Sequence, residues 1–343
     1  MTREKRRRRR PLRAAAAVIG CALVLAAAGA GWAYWHLNQN IRSVDIDNAL
    51  GDNRPARAPT TVPSATPSAS ASPLPAGALN ILVLGSDSRT GTKNAALGGG
   101  DSAGARSDTA MVVHLNDDRT KVTVVSIPRD TLVTRPSCPV SSGGTTPTAY
   151  NVMFNSAYSV GGPVCAVTTV ERLTGVRMDH YIEIDFSGFA DLVDALGGVT
   201  VTTAQDIDDD RSHLHLDAGT HRLDGTEALA FARTRHGIGD GSDLGRIELQ
   251  QQLVQALLKE VRDTNLLTGA AGLYKVADAV TGSLTTDTGL DSLGELSSLA
   301  QSLRNIPSSG LRTVTMPVVT APSDPNRMVA QEPAASELWA SLR

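Results

Sequence analysis

Arginines and aspartates recur close together along this chain. Asp87 and Arg89 stand in "VLGSDSRTG", Arg106 and Asp108 in "ARSDT", and Arg129 and Asp130 in "SIPRD". Arg233, Arg235 and Arg246 surround a Gly/Asp stretch in "FARTRHGIGDGSDLGRIELQQQ", with Asp243 and Gln250 beside them. Crowded arginines repel one another, so the group needs carboxylate partners within the protein or an anion from outside. Guanidinium forks match phosphate geometry and form bidentate, charge-assisted bonds. Aspartates in the same place would repel a bare phosphate unless a hard divalent cation lies between, and Mg²⁺ is held by one or two carboxylates plus phosphate oxygens. The residues therefore suggest a Mg²⁺-assisted phosphate or pyrophosphate site. Any one of these arginines alone reads more simply as a surface salt bridge; the whole set, placed at element ends, does not. No P-loop supports a nucleotide, because "GSDSRTGTK" has the wrong Gly and Lys spacing, and neither HExxH nor CxxC occurs.

The elements that must hold these residues begin with an uneven charge distribution. The chain has 343 residues, 41% apolar and 20% charged, with a net charge of −3. Eight Lys/Arg against Glu4 give the first thirteen residues +7, which leaves −10 for the remainder. A chain so acidic beyond residue 13 argues against a nucleic-acid partner. Residues 14–35, "AAAAVIGCALVLAAAGAGWAYW", are uncharged and long enough to span a bilayer as a helix. The basic flank predicts a cytoplasmic N-terminus, and Trp32, Tyr34 and Trp35 suit the outer interface. "VIGC" also fits a cleaved leader ending at Cys21, but the apolar run continues past it, which favours an uncleaved anchor. Residues 52–78 are rich in Pro, Ser, Thr and Ala, a composition that stays solvated and acts as a spacer. Outside the membrane, Cys138 and Cys165 form an even pair, which reads as one disulfide.

Periodicity predicts alternating strands and helices. "LNILVLG" reads as a buried strand, and "TAMVVHL" and "KVTVVSI" as a hairpin turning at Asn116–Asp118. A helix is expected over about 154–174, then the strand "HYIEIDF". In "SGFADLVDALGG", Phe189, Leu192, Val193 and Leu196 share one helical face, with Ser187 as cap and Gly197–Gly198 as stop. "VTVTT" is a strand, Asp224 and Glu227 form a capping box, residues 245–262 a long helix, and "LRTVTMPV" a late strand. Helices would cover a central sheet, with the polar pairs in loops at strand ends, the usual home of α/β sites. Arg233 and Arg235 converge only if their helix has ended between them, whereas Arg246 and Gln250 share a helical face.

The order of "NILVLGSDSRTG", "RSDTAMVVHLN", "VSIPRDT", "FNSAYSVGG", "IEIDFSGFADLVDALGGV", "LDGTEALAFARTRH" and "DLGRIELQQQ" resembles the LytR-CpsA-Psr family from residue 79 to about 262. The resemblance implies an α/β fold with a central mixed β-sheet flanked by helices, preceded by one N-terminal transmembrane helix. The implied organisation is a basic cytoplasmic segment 1–13, a transmembrane helix 14–35, an extracellular linker 36–78, a catalytic domain 79–320 and a tail 321–343. It further implies a phosphotransferase that moves a glycopolymer from an undecaprenyl-pyrophosphate carrier onto peptidoglycan, with Mg²⁺ or Mn²⁺ as cofactor, outside the cell membrane. Carried over by position, Asp87 and Asp108 are the metal ligands. Arg106, Arg129, Arg233 and Arg235 hold pyrophosphate, with Arg89, Asp130, Arg246 and Gln250 in the substrate site and Asp243 in the same motif. Two departures stand out. A Gly/Ala-rich insertion widens the gap between Asp87 and Asp108, and Leu249 replaces a second arginine found in many relatives.

The implied mechanism has an apolar groove for the lipid, arginines on the pyrophosphate, and a peptidoglycan hydroxyl attacking the sugar-side phosphorus. Asp108 is the first choice for the base that takes the hydroxyl proton. A non-catalytic envelope scaffold that binds polyprenyl phosphates, and a lipid-pyrophosphate hydrolase, are the competing classes.

Overall fold

The computed structural model describes residues 27–52, 54–57, 77–86, 107–140, 143–235, 243–263, 270–304 and 306–343. Helix α1 covers 27–40, followed by β1 (Arg42–Val44) and α2 (Ile46–Leu50). Then come β2 (Leu79–Ser86), β3 (Ser107–Leu115), β4 (Val122–Ser126), β5 (Leu132–Arg135), β6 (Ala149–Met153), α3 (Ser156–Thr174) and β7 (His180–Asp185). The middle of the chain gives α4 (Phe186–Ala195), β8 (Val199–Thr203), β9 (Ile207–Asp209), β10 (Leu214–Leu216), β11 (Gly219–Leu223), α5 (Gly225–Arg233) and α6 (Asp243–Asp263). The last stretch holds α7 (Ala270–Ser283), β12 (Leu284–Asp287), α8 (Leu293–Arg304), β13 (Leu311–Thr315), β14 (Val318–Ala321), β15 (Asp324–Ala330) and α9 (Ala334–Ala340).

The central sheet is mixed, with strand order β1-β12-β7-β2-β3-β4-β13. Its middle strands bury both faces, which is why "LNILVLGS" reads as an unbroken apolar run. Leu82, Leu84, Val112 and Val125 point to one face, where α3 and the C-terminal Trp339 and Leu342 cover them. Ile81, Met111 and Val124 point to the other, beneath Leu290, Leu296 and Leu299. A second lobe, built on Val193, Val199, Leu223, Phe231 and Leu253, stands beside that second face. Gly225 lets α5 approach α4, since a Cβ there would run into the Ala190 carbonyl.

Several expectations shift. The cap of α4 is Asp185, which accepts the Gly188 N–H at 2.7 Å and the Ser187 hydroxyl at 3.0 Å. Its carboxylate has the reach for both, so Ser187 is drawn into the first turn. The folded unit is wider than 79–320. Strand β1 pairs in parallel with β12, and Trp339 and Leu342 of the expected tail are core residues. The Pro/Ser-rich stretch 58–76, outside the described residues, thus joins two parts of one folded unit, with β1 and α2 before it and β2 after. Within the expected linker 36–78, the apolar residues Val44, Ile46 and Leu50 pack into the core. Residues 14–26 of the expected membrane span lie outside the described residues, and among the described residues no helix is long and apolar enough to cross a membrane. Trp32, Tyr34 and Trp35 on α1 are all more than half exposed. Cys138 and Cys165 are joined as a disulfide.

The segment that follows α2 is pinned by a buried ion pair. Arg54 donates to both Glu171 carboxylate oxygens and to the Met178 carbonyl, with side-chain exposures of 2% and 5% for Arg54 and Glu171. Removing one member of such a pair strands the other charge. Arg54→Ala is therefore expected to lower stability by about 3–5 kcal/mol in urea denaturation. Arg57→Ala, at a half-exposed pair with Asp179, should cost less than about 1 kcal/mol.

Candidate functional site

A cavity of about 490 Å³ opens between the second face of the sheet and the helical lobe. Its floor is Val83, Gly85, Met111, Ile182, Ile184 and Leu284; helices α4, α5 and α6 wall it with Phe186, Phe189, Leu192, Leu229, Leu253 and Leu257. Phe189 and Leu192 belong to the apolar face expected of α4; both line this space, and Phe189 also packs against the core of the second lobe. Polar groups share the lining. Four arginines (Arg211, Arg233, Arg235 and Arg246) and Gln250 line the cavity, against two carboxylates, Asp185 and Asp209. The space suits an amphiphile with an apolar chain and an anionic head.

The mouth is set by how α5 ends. Its capping box closes the first turn as expected, Asp224 accepting from Glu227 N–H and Glu227 from Asp224 N–H. The helix stops at Arg233, and Thr234 is extended at φ −58°, ψ 134°. With the helix broken there, Arg233 and Arg235 both reach the cavity, the convergence their spacing required. Arg233 lies 4.8 Å over the Phe186 ring, a cation–π contact that fixes its guanidinium. Gln250 donates to the Ala232 carbonyl at 3.0 Å, so it braces the end of α5 as well as lining the cavity. Arg246 shares its helical face, as the i, i+4 spacing anticipates.

Internal carboxylates account for another part of the arginine cluster. Asp243 pairs with Arg246 and lies 3.5 Å from Arg129, and Arg129 is also 3.4 Å from Asp130. Arg129 and Asp130 therefore join the site through the start of α6 and do not line the cavity. Arg327, on the C-terminal hairpin, reaches Asp130 at 4.0 Å; it lies outside every motif read from the sequence. Leu249 is buried in the second lobe among Phe231 and Leu253, so this position presents no contact to the cavity.

Asp87, Arg89 and Arg106 lie outside the described residues. Asp108 sits at a β-bulge. Gly85 pairs with Thr109 and Ser86 with Ser107, so the register steps over Asp108. Bulges interrupt pairing and re-aim the strand beside many active sites. Gly85 and Thr109 are themselves cavity-lining, and Asp87 follows Ser86 directly in the chain. Carboxylates are hard oxygen donors of the kind Mg²⁺ takes, and Asp87 itself lies outside the described residues. The buried Ser86 hydroxyl has no hydrogen-bond partner among the described residues. Among the described residues, Asp208, Asp210 and His215 form another acidic group, exposed on a hairpin tip. On the opposite side of β7, Glu183 accepts from the Tyr158 and Tyr181 hydroxyls at 2.6 Å each. Burial, then the Glu183 charge, pushes the Tyr181 phenol well above its ordinary range, so it stays protonated as a donor.

Fold and cavity together define a layered α/β protein with an apolar cavity whose lining carries four arginines. The profile of the LytR_cpsA_psr family matches residues 33–343, and the chain belongs to that family. It is 35% identical over 272 residues to the probable cell wall biosynthesis protein LcpB of Corynebacterium glutamicum, covering 77% of this chain and 61% of that protein. It is 34% identical over 220 residues to the polyisoprenyl-teichoic acid–peptidoglycan teichoic acid transferase TagU of Halalkalibacterium halodurans, 64% of either chain. The chain thus spans less than two thirds of these relatives. Among solved structures, TagV of B. subtilis superposes with a TM-score of 0.60 at 26% identity, over 78% of this chain and 97% of that one. A LytR-Csp2A-Psr enzyme from Actinomyces oris gives 0.60 at 24% identity, over 84% and 96%.

Proposed function

We propose that the protein is a membrane-anchored phosphotransferase that moves a glycopolymer from an undecaprenyl-pyrophosphate carrier onto peptidoglycan. The observation that carries this reading is a cavity with an apolar floor and four arginines in its lining. The polyisoprenyl carrier and peptidoglycan acceptor in the name of the TagU relative support the same substrate class. In this scheme Phe189, Leu192, Ile182 and Leu253 receive the isoprenyl chain nearest the head group. Arg233 and Arg235 hold pyrophosphate oxygens by paired N–H donation, and Arg246, fixed by Asp243, adds a third cation. The acceptor hydroxyl attacks the phosphorus that carries the polymer. A new P–O bond forms, the bridging P–O bond breaks, and the lipid phosphate departs with the bonding electrons. The hydroxyl proton passes to a carboxylate, for which Asp108 is our assignment. Mg²⁺ or Mn²⁺, held by Asp87 and Asp108, would neutralise phosphate charge when bound. Catalysis is then chiefly positioning and charge stabilisation. The basic flank at residues 1–13 keeps that end in the cytoplasm and the folded unit outside.

The test is product analysis with the detergent-extracted full chain, a lipid-pyrophosphate-linked polymer and peptidoglycan. Polymer linked to peptidoglycan through a phosphodiester is the expected result. Free phosphorylated polymer would identify a hydrolase instead, and unchanged lipid that stays bound would identify a scaffold.

A further inference from the structure

The turn between β9 and β10 carries "DDDRS", an acidic run that reads as a solvated surface. Asp209 within it is 2% exposed. Its neighbours Asp208 and Asp210 point to solvent, because alternation along β9 puts Asp209 on the inner face with Ile207. One carboxylate oxygen accepts the Arg211 N–H at 3.0 Å and closes the local turn. The other accepts the Arg235 N–H at 2.9 Å, 26 residues away. Ser212 in the same turn bonds the Thr234 hydroxyl at 2.8 Å, and Thr234 in turn bonds the Ala230 carbonyl. A further helical turn would have directed the Arg235 N–H to the Phe231 carbonyl. Asp209 takes that donor instead, where α5 gives way to extended chain.

We propose that Asp209 is a positioning residue for head-group binding: by capturing the Arg235 N–H it ends α5 after Arg233 and turns Arg233 and Arg235 toward one anion. In a continued helix these two side chains would lie about 200° apart around the axis, given 3.6 residues per turn, and could not share a pyrophosphate. The β9–β10 turn is thus a wall of the site, contributed by a stretch that carries none of the arginine motifs. The inference rests on the mouth being a pyrophosphate site, and the experiment separates the two claims.

Binding of geranylgeranyl pyrophosphate and of geranylgeraniol, which has the same tail and no charge, is measured for wild type, Asp209→Ala, Asp209→Asn and Arg235→Ala. Wild type should prefer the pyrophosphate. Asp209→Ala should reduce that preference roughly tenfold, on the scale of lost bonds to a charged group, while alcohol binding holds. Asn keeps one acceptor oxygen and should restore part of the preference. In an Arg235→Ala background, Asp209→Ala should remove little more. Hydrogen exchange at the Arg235 amide gives an independent readout and should speed up in Asp209→Ala. Equal loss of both ligands would mean Asp209 only supports the fold, and an unchanged preference would overturn the proposal directly. A wild type indifferent to the pyrophosphate would instead overturn the reading of the mouth, and the positioning role with it.

Discussion

Arg233→Ala and Arg235→Ala are each expected to lower the rate of polymer transfer by about 10²–10³-fold, the usual cost of removing one donor aimed at developing charge. The loss should appear in kcat as well as kcat/KM, because the interaction strengthens as the bridging oxygen takes up charge. Stability should change far less. For Arg233 the contact with Phe186 is worth about 0.5–1 kcal/mol at a partly exposed site. For Arg235 the bond to Asp209 is made by the backbone and survives truncation of the side chain. Lysine at either position keeps the charge but not the fork, so it should restore only part of the activity. Steady-state transfer kinetics beside a thermal melt decide the matter. A variant with a lowered melting temperature and intact transfer would mean that these arginines are structural salt-bridge partners.

How far such a site can be read without coordinates depends on whether its geometry is local. The capping box of α5, the pairing of Arg246 and Gln250 on one face, and the buried run of β2 all follow from spacing, and the structure places them as spacing requires. Convergence of Arg233 and Arg235 was visible as a condition: the helix had to end. What ends it was not visible, since Asp209 lies 26 residues away inside an acidic run, and only strand alternation separates its one buried carboxylate from two exposed ones. The bulge at Asp108 is a matter of register between two strands and leaves no mark on either alone. Arg327 reaches Asp130 from a C-terminal hairpin that meets the "VSIPRDT" motif only through the Thr131–Met328 bridge and the Met328 N–H on the Asp130 carbonyl, contacts about 200 residues apart in sequence. The packing of the segment before the Pro/Ser-rich stretch is hidden for a related reason. Three apolar residues, Val44, Ile46 and Leu50, are too few to announce that the core continues there.

The same bulge shapes the remaining expectation. Asp87→Asn and Asp108→Asn keep side-chain size while removing one negative charge each, in a protein whose cavity lining carries four arginines. If the carboxylates only balanced those cations, their loss would leave more positive charge and tighten binding of an anionic lipid, with transfer retained. If they hold Mg²⁺, transfer should fall by at least about 10²-fold, on the scale of several kcal/mol of charge stabilisation, although polyprenyl pyrophosphate still binds through the arginines. Mg²⁺ keeps several waters and relies on substrate phosphate oxygens, so the ion should bind weakly to the protein alone and tightly with the lipid pyrophosphate present. Chelation should mimic either substitution, and added Mn²⁺ should restore the chelated wild type but neither variant. Isothermal titration of Mg²⁺ with and without lipid, run beside the transfer assay, tests each step. Transfer that survives both the chelator and Asp87→Asn would leave the arginines as the only source of charge stabilisation and would make Asp108 a base acting without a metal.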